Sequence, residues 1–320
     1  MPAIVTHDTF GRSALSLIGE AVGTSTDCVE AFLLGNQGPD PLFYVAVDPT
    51  LSAWKRMGSR LHRECTDEVL AAMRAAVSIL PKEDAPVARA YALGFLCHYL
   101  LDAGVHPLVY AQQYALCDAG VEGLTRKVQD SVHATIECEF DEVMMSRHLN
   151  TTMAEWSPAT HILRASSHVL DVVSSMYVYV CLTVFGCTVP KRLFPQAVRL
   201  FRAAETVLVS PAGIKRAALV RTEEALRGVS FLGSLSMHAI PLEESPFENN
   251  GHDPWIEPAT GRERTECFEN LYEASMLRVE ECAERFLRAD FDAQAAASIT
   301  CGLNFNGDPI GGALISVVDE

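Results

Sequence analysis

Apolar positions recur at intervals of three and four residues along most of the chain, the spacing that gathers them on one face of a helix. The run Leu70-Ala71-Ala72-Met73-Arg74-Ala75-Ala76-Val77 continues to Leu80 and stops at Pro81, whose missing N–H and fixed φ end a helix. Asp84-Ala85-Pro86 has the form of a helix start. It leads into residues 87–102, apolar almost all round and therefore expected at the centre of the molecule. Over 121–149, Val128, Val132, Ile136, Phe140 and Met144 repeat every fourth position with charges between them. Further amphipathic helices are expected at 194–209, 212–226 and 267–286. No alternating apolar–polar run and no hairpin signal stands out, so the pattern predicts an all-α chain. Loops are expected at 35–49, around Pro107 and at 241–264, the last rich in Pro, Asn and Gly and long enough to be a lid or a linker.

Composition narrows this to a soluble globular class. Hydrophobic residues make up 49% and charged residues 21%, which excludes disorder, collagen and coiled coil as the main architecture. The formal net charge of −16 disfavours coating a nucleic acid or docking on an anionic membrane. The first eight residues lack a basic start followed by an apolar run, so a cytoplasmic location is expected. Ten cysteines without a C-x-x-C pair are expected as reduced, mostly buried thiols. The uncharged stretch 172–190 is expected as a buried helix rather than a membrane span.

The chemistry sits in two sets of polar residues spaced by four. His98-x-x-x-Asp102-x-x-x-His106 places two imidazoles and a carboxylate on one helix face, and His133-x-x-x-Glu137-x-x-x-Asp141 places one imidazole and two carboxylates on another. A composition like this one yields the first triplet by chance only about 0.02 times, so it carries the signal. Asp102 lies in an otherwise apolar helix, where a carboxylate is costly unless paired or coordinated. A buried His–Asp hydrogen bond would explain that pair alone. With His106, His133 and Glu137 added, metal binding is the stronger reading. Nitrogen and carboxylate donors without thiolate suit zinc, and also iron, manganese or cobalt.

Several segments in order resemble the zinc-dependent phospholipases C, which share a fold with zinc-dependent single-strand nucleases. They are Thr6-His7, Gly35-Asn36-Gln37-Gly38-Pro39-Asp40, Leu61-His62-Arg63-Glu64, His98-Tyr99-x-x-Asp102 with His106, and His133-x-x-x-Glu137. The opening Met-Pro-Ala-x-x-Thr-His and Ala31-Phe32-Leu33-Leu34-Gly35-x-x-Gly38-Pro39-Asp40 look like the intracellular bacterial branch.

The resemblance covers residues 1–190 and implies a helical bundle with a zinc cleft, and 191–320 would be a helical extension packed on it. It implies one zinc held by Asp40, His62, His98 and Asp102, and a second held by His106, His133 and Glu137. A third would take His7 with Asp102 bridging, completed in the family by the free N-terminal residue. Here His106 follows Asp102 by four positions, where the secreted phospholipases have six. The expected activity is hydrolysis of a phosphodiester by a metal-bridging water, with Asp40 as general base, on a small phosphoester or phospholipid. The rival readings are a nuclease of the same fold and a non-catalytic zinc-binding helical protein. Asp141 is expected to orient His133 or His106. Phe43, Tyr44 and Tyr99 are expected in the core and His252 as a weak substrate contact.

Overall fold

The computed structural model describes residues 3–151, 156–208 and 242–311, and they are overwhelmingly helical. In chain order the α-helices are α1 (Ile4–Val22), α2 (Thr26–Gly35), α3 (Met57–Arg63), α4 (Thr66–Ile79), α5 (Ala85–Asp118) and α6 (Gln129–Met144). They continue with α7 (Pro158–His161), α8 (Ser167–Phe185), α9 (Leu193–Leu208), α10 (Phe268–Leu277), α11 (Val279–Phe286) and α12 (Ala293–Thr300). The helix expected at 212–226 lies outside the described residues.

Helix α5 is the axis. It runs for 34 residues, almost all buried between Val87 and Val109, and α1, α2, α4, α6, α8 and α10 pack around it. Its closest neighbour is α2, and two glycines make that approach: a Cβ on Gly35 would stand 2.3 Å from Tyr91 O, and one on Gly94 2.1 Å from Phe32 O. Two backbones touch where any side chain would separate them.

The loop expected around Pro107 is not there, because α5 continues through it. Proline removes one helical hydrogen bond, but this helix is held by burial on nearly every side, and Pro107 itself packs against Gly307. The loop at 35–49 is also more ordered than expected. After α2 ends at Gly35 the chain forms two 3₁₀ turns, Asp40–Val47 and Pro49–Trp54, each with proline near its start.

The span 121–149 becomes a 3₁₀ turn Arg126–Val128, then α6, then a π-helical turn Met145–Leu149. The span 267–286 divides into α10 and α11 at Arg278. Within 241–264, Trp255–Ile256 and Glu263–Arg264 form a small antiparallel pair, too short to show as alternation.

Helix α8 buries one face only. It and α5 are both long and apolar enough to cross a membrane, but 89% of the α5 window is inside the protein against 44% for α8. The expectation of a buried helix at 172–190 therefore holds for one face only: Leu182 is exposed on the other. None of the ten cysteines forms a disulfide.

Candidate metal centre

Five elements converge on one cleft. Helix α1 brings His7, the turn after α2 brings Asp40, and α3 brings His62. The middle of α5 brings His98, Asp102 and His106, and α6 brings His133 and Glu137. Seven of these side chains line a cleft of about 320 Å³, and His98 stands behind them, fully buried.

Their donor atoms fall into three groups, each within 4.8 Å: His7 with Asp40 and His98, His62 with His98 and Asp102, and His106 with His133 and Glu137. Buried His/Asp clusters of this kind could hold a metal ion. Asp102 belongs to the second and also reaches His7 of the first and His106 of the third. Its carboxylate lies 3.1 Å from His7 Nε2, 3.3 Å from His98 Nε2, 3.8 Å from His62 Nε2 and 3.9 Å from His106 Nδ1. Asp40 Oδ1 is 3.0 Å from His62 Nε2 and 4.0 Å from His98 Nε2. Glu137 Oε1 is 3.3 Å from both His106 Nε2 and His133 Nε2.

The other ring nitrogens show what these contacts are. His62 Nδ1 is 2.8 Å from Gly58 O, His98 Nδ1 3.1 Å from Asn36 O, and His106 Nδ1 2.7 Å from Phe305 O. A carbonyl oxygen can only accept, so in each ring the proton sits on Nδ1. His133 Nδ1 is likewise 2.8 Å from Gln113 Oε1. In the rings that burial keeps neutral, His98 and His133, Nε2 then turns a lone pair toward a carboxylate, which is repulsive unless a cation stands between them.

Spacing agrees. Zinc bonds of ~2.0–2.1 Å at the tetrahedral angle put two ligand atoms about 3.4 Å apart, whereas an ionised N–H···O bond closes to ~2.7–2.9 Å. The 3.3 Å contacts of His98, His106 and His133 fit the former. His98 Nε2 is buried and makes no hydrogen bond at all. His7 is arranged differently, with Nδ1 3.2 Å from His98 Nδ1 and Nε2 toward Asp102.

The metal-free charges follow the same geometry. Burial pushes His98 down to about 4, against the pull of Asp102, so its ring is neutral at pH 7. Burial also lowers His133, against the pull of Glu137. At His106 burial is outweighed by the charges of Asp102 and Glu137, which raise it to about 9. His7 is raised too, its burial offset by Asp102. Asp102 is held well below the carboxylate range, because the imidazoles around it overcome the effect of burial, and Glu137 is held well below it too. Asp40 is lowered in the same way by His62 and His98.

Local sequence explains the placement of His98. Gly38 has φ +49°, and a Cβ there would stand 2.1 Å from His98 Cδ2. The glycine lets the turn after α2 lie directly on the imidazole, bringing Asn36 O to Nδ1 and Asp40 to the far side.

Asp141 is not where it was expected. It touches neither His133 nor His106, but accepts from Thr6 N at 2.8 Å and Thr6 Oγ1 at 2.7 Å. It thereby caps α1 one residue before His7, because four further residues along α6 bring it opposite that helix start. Burial raises Asp141 to about 7.

The residues that orient the imidazoles were not legible beforehand. Phe305 and Asn306 come from the turn after α12, some 200 positions away, so the extension beyond 190 contributes directly to the site. Phe305 O accepts from His106, Phe305 N donates to His62 O at 3.2 Å, and its ring packs against His62 and His98. Tyr110, Gln113 and Tyr114 also line the cleft. They follow His106 by four, seven and eight on the same face of α5, a signal the sequence does contain.

Among the core expectations, Tyr44 stacks on Phe201 and Tyr99 donates to Leu303 O, while Phe43 reaches the cleft. His252 lies on the surface with Nδ1 toward Thr265 O and takes no part. Comparisons with protein-family models, with curated proteins and with solved structures find no match to this chain.

Proposed function

We propose that the chain is a zinc-dependent phosphoester hydrolase, with a helical bundle of the phospholipase C and zinc nuclease type. One observation supports catalysis over a structural ion. Among the described residues the His106, His133 and Glu137 group offers three donors beside an open cleft, and structural zinc sites are closed by four protein ligands while catalytic ones keep a position free. His62, His98, Asp102 and Asp40 would hold a second ion, and His7 with Asp102 would contribute to a third. Zinc there supplies the charge that brings the pKa of a water near 7 and offsets that of phosphoryl oxygens.

The protein's own groups do the rest. Asp102 joins the groups and balances their charge. The carbonyls of Gly58, Asn36 and Phe305, with Gln113, fix each ring so that Nε2 faces the cleft. Asp40 is ionised at neutral pH and its Oδ2 takes no hydrogen bond from a described residue, so that oxygen is placed to accept the proton of an attacking water. Phe43, Tyr110 and Tyr114 form the less polar walls.

The test is hydrolysis of bis(p-nitrophenyl) phosphate by zinc-loaded and chelator-treated protein. The reading expects turnover that chelation abolishes and zinc restores, and Asp40→Asn protein that, compared at matched zinc content, turns over at least ~100-fold more slowly. Absence of turnover by fully zinc-loaded protein across diesters and monoesters would favour the non-catalytic alternative.

A further inference from the structure

Arg63 is the only arginine or lysine lining the metal cleft among the described residues. The acid its charge acts on is Asp308, whose carboxyl it pulls down against burial. One turn earlier on α3, Arg60 is held at 2.9 Å by Glu64 and lies 4.4 Å over the Phe185 ring. Arg63 forms no ion pair and no side-chain hydrogen bond with a described residue, although Glu64 is its chain neighbour. Arg63 is exposed, and with no carboxylate of a described residue in direct contact its guanidinium fork is open to a further anion.

Its surroundings favour an anion. Tyr110 and Tyr114 share the cleft, and the Arg63 charge bears on both hydroxyls from nearby. Asn306 and Ser59 add further hydrogen-bonding groups to the lining. The charge balance decides the sign. Asp40, Asp102, Glu137 and Asp130 all line the cleft, so their four negative charges are matched by two zinc ions. Arg63 then makes the loaded cleft positive.

We propose that Arg63 is the anion-anchoring residue of this cleft, and that the ligand it selects is a dianionic phosphate, as a phosphomonoester or free inorganic phosphate. The proposal rests on the phosphoester reading and extends it beyond diesters. A diester has two unesterified oxygens, which two metal ions can occupy. A monoester keeps a third for the planar guanidinium fork, which accepts oxyanions in bidentate fashion.

The experiment is calorimetric titration of inorganic phosphate into wild-type, Arg63→Lys and Arg63→Gln protein, with zinc per chain measured on the same samples. Zinc content is expected to be equal in all three. Phosphate affinity is expected to fall about tenfold or more in Arg63→Gln, the loss of a charge-assisted hydrogen bond. Arg63→Lys should lie between, since lysine keeps the charge without the fork. In parallel, KM for p-nitrophenyl phosphate should rise in Arg63→Gln with kcat little changed, and KM for bis(p-nitrophenyl) phosphate should move less. Equal phosphate affinity in the three proteins would overturn the proposal, as would zinc-loaded wild type that binds no phosphate. A chain that takes up no zinc would refute the metal reading, and the same titration would still decide whether Arg63 anchors an anion.

Discussion

His98 Nδ1 lies 3.1 Å from Asn36 O, while its Nε2, buried and without a hydrogen bond, stands 3.3 Å from Asp102 Oδ2. The first contact fixes the tautomer and the second then sets two lone pairs face to face. A protein interior tolerates that only if a cation lies between them or the ring protonates, and burial resists protonation until about pH 4.

Asp102→Asn should cost more metal and more stability than Glu137→Gln. Asp102 serves four imidazoles within 4.0 Å, and Glu137 serves two. Removing one partner of a buried ionic cluster costs about 3–5 kcal/mol. Zinc per chain and melting temperature of both variants decide this, and equal small effects would reduce Asp102 to a hydrogen-bond partner.

Zinc uptake at pH 7 should release protons. In the metal-free chain His106 titrates near 9 and carries a proton that ligation must displace. Calorimetry in two buffers of different ionisation enthalpy should show a buffer-dependent heat, and affinity should climb with pH toward 9. The sign for stability is the reverse. A raised His106 stabilises the metal-free fold fully below the unfolded value near 6.5, and that contribution is lost as pH rises to about 9. Buffer-independent heats would mean His106 is not a ligand.

Gly307→Ala should loosen the His106 group from a distance. Gly307 has φ +75°, and a Cβ there would stand 2.7 Å from Pro107 Cγ, so the turn carrying Phe305 O must move. The expected loss is about 1–3 kcal/mol, together with a changed cobalt absorption spectrum. Gly261→Ala is the control, with φ +69° and open space around it; it should carry the backbone strain and leave the spectrum alone. Identical spectra for both would show that the turn does not orient His106.

His168→Ala should have only a small effect. This exposed ring bridges Asp27 at 2.8 Å and Asp84 at 2.9 Å. Hydrogen bonds to Asp84 and Asp27 raise it, so its contribution is present below the unfolded pKa and lost as pH rises through the folded one. A surface pair contributes about 0.2–1 kcal/mol. Thermal melts at pH 5.5 and 8.5 should show the difference from wild type only at the lower pH.

What the sequence disclosed follows from how local each feature is. His98, Asp102 and His106 were legible because four-residue spacing on one helix is written in the chain itself, as was the apolar wrapping that makes α5 central. His7, Asp40 and His62 are scattered, and only resemblance pointed to them. The carbonyls that orient the rings carry no side-chain signal, and Phe305 reaches His106 across some 200 residues. Pro107 misled because its cost is local while the burial that outweighs it is tertiary. Asp141 misled for a related reason, since its spacing was right but its partner belongs to another helix.

The central claim, that this cleft is a zinc centre, is tested most directly by zinc per chain. It is measured by plasma mass spectrometry on protein purified without a histidine tag, before and after chelation and zinc resupply. The account predicts two or more equivalents, lost on chelation and recovered on resupply. Less than one equivalent of any transition metal after zinc is supplied would contradict it.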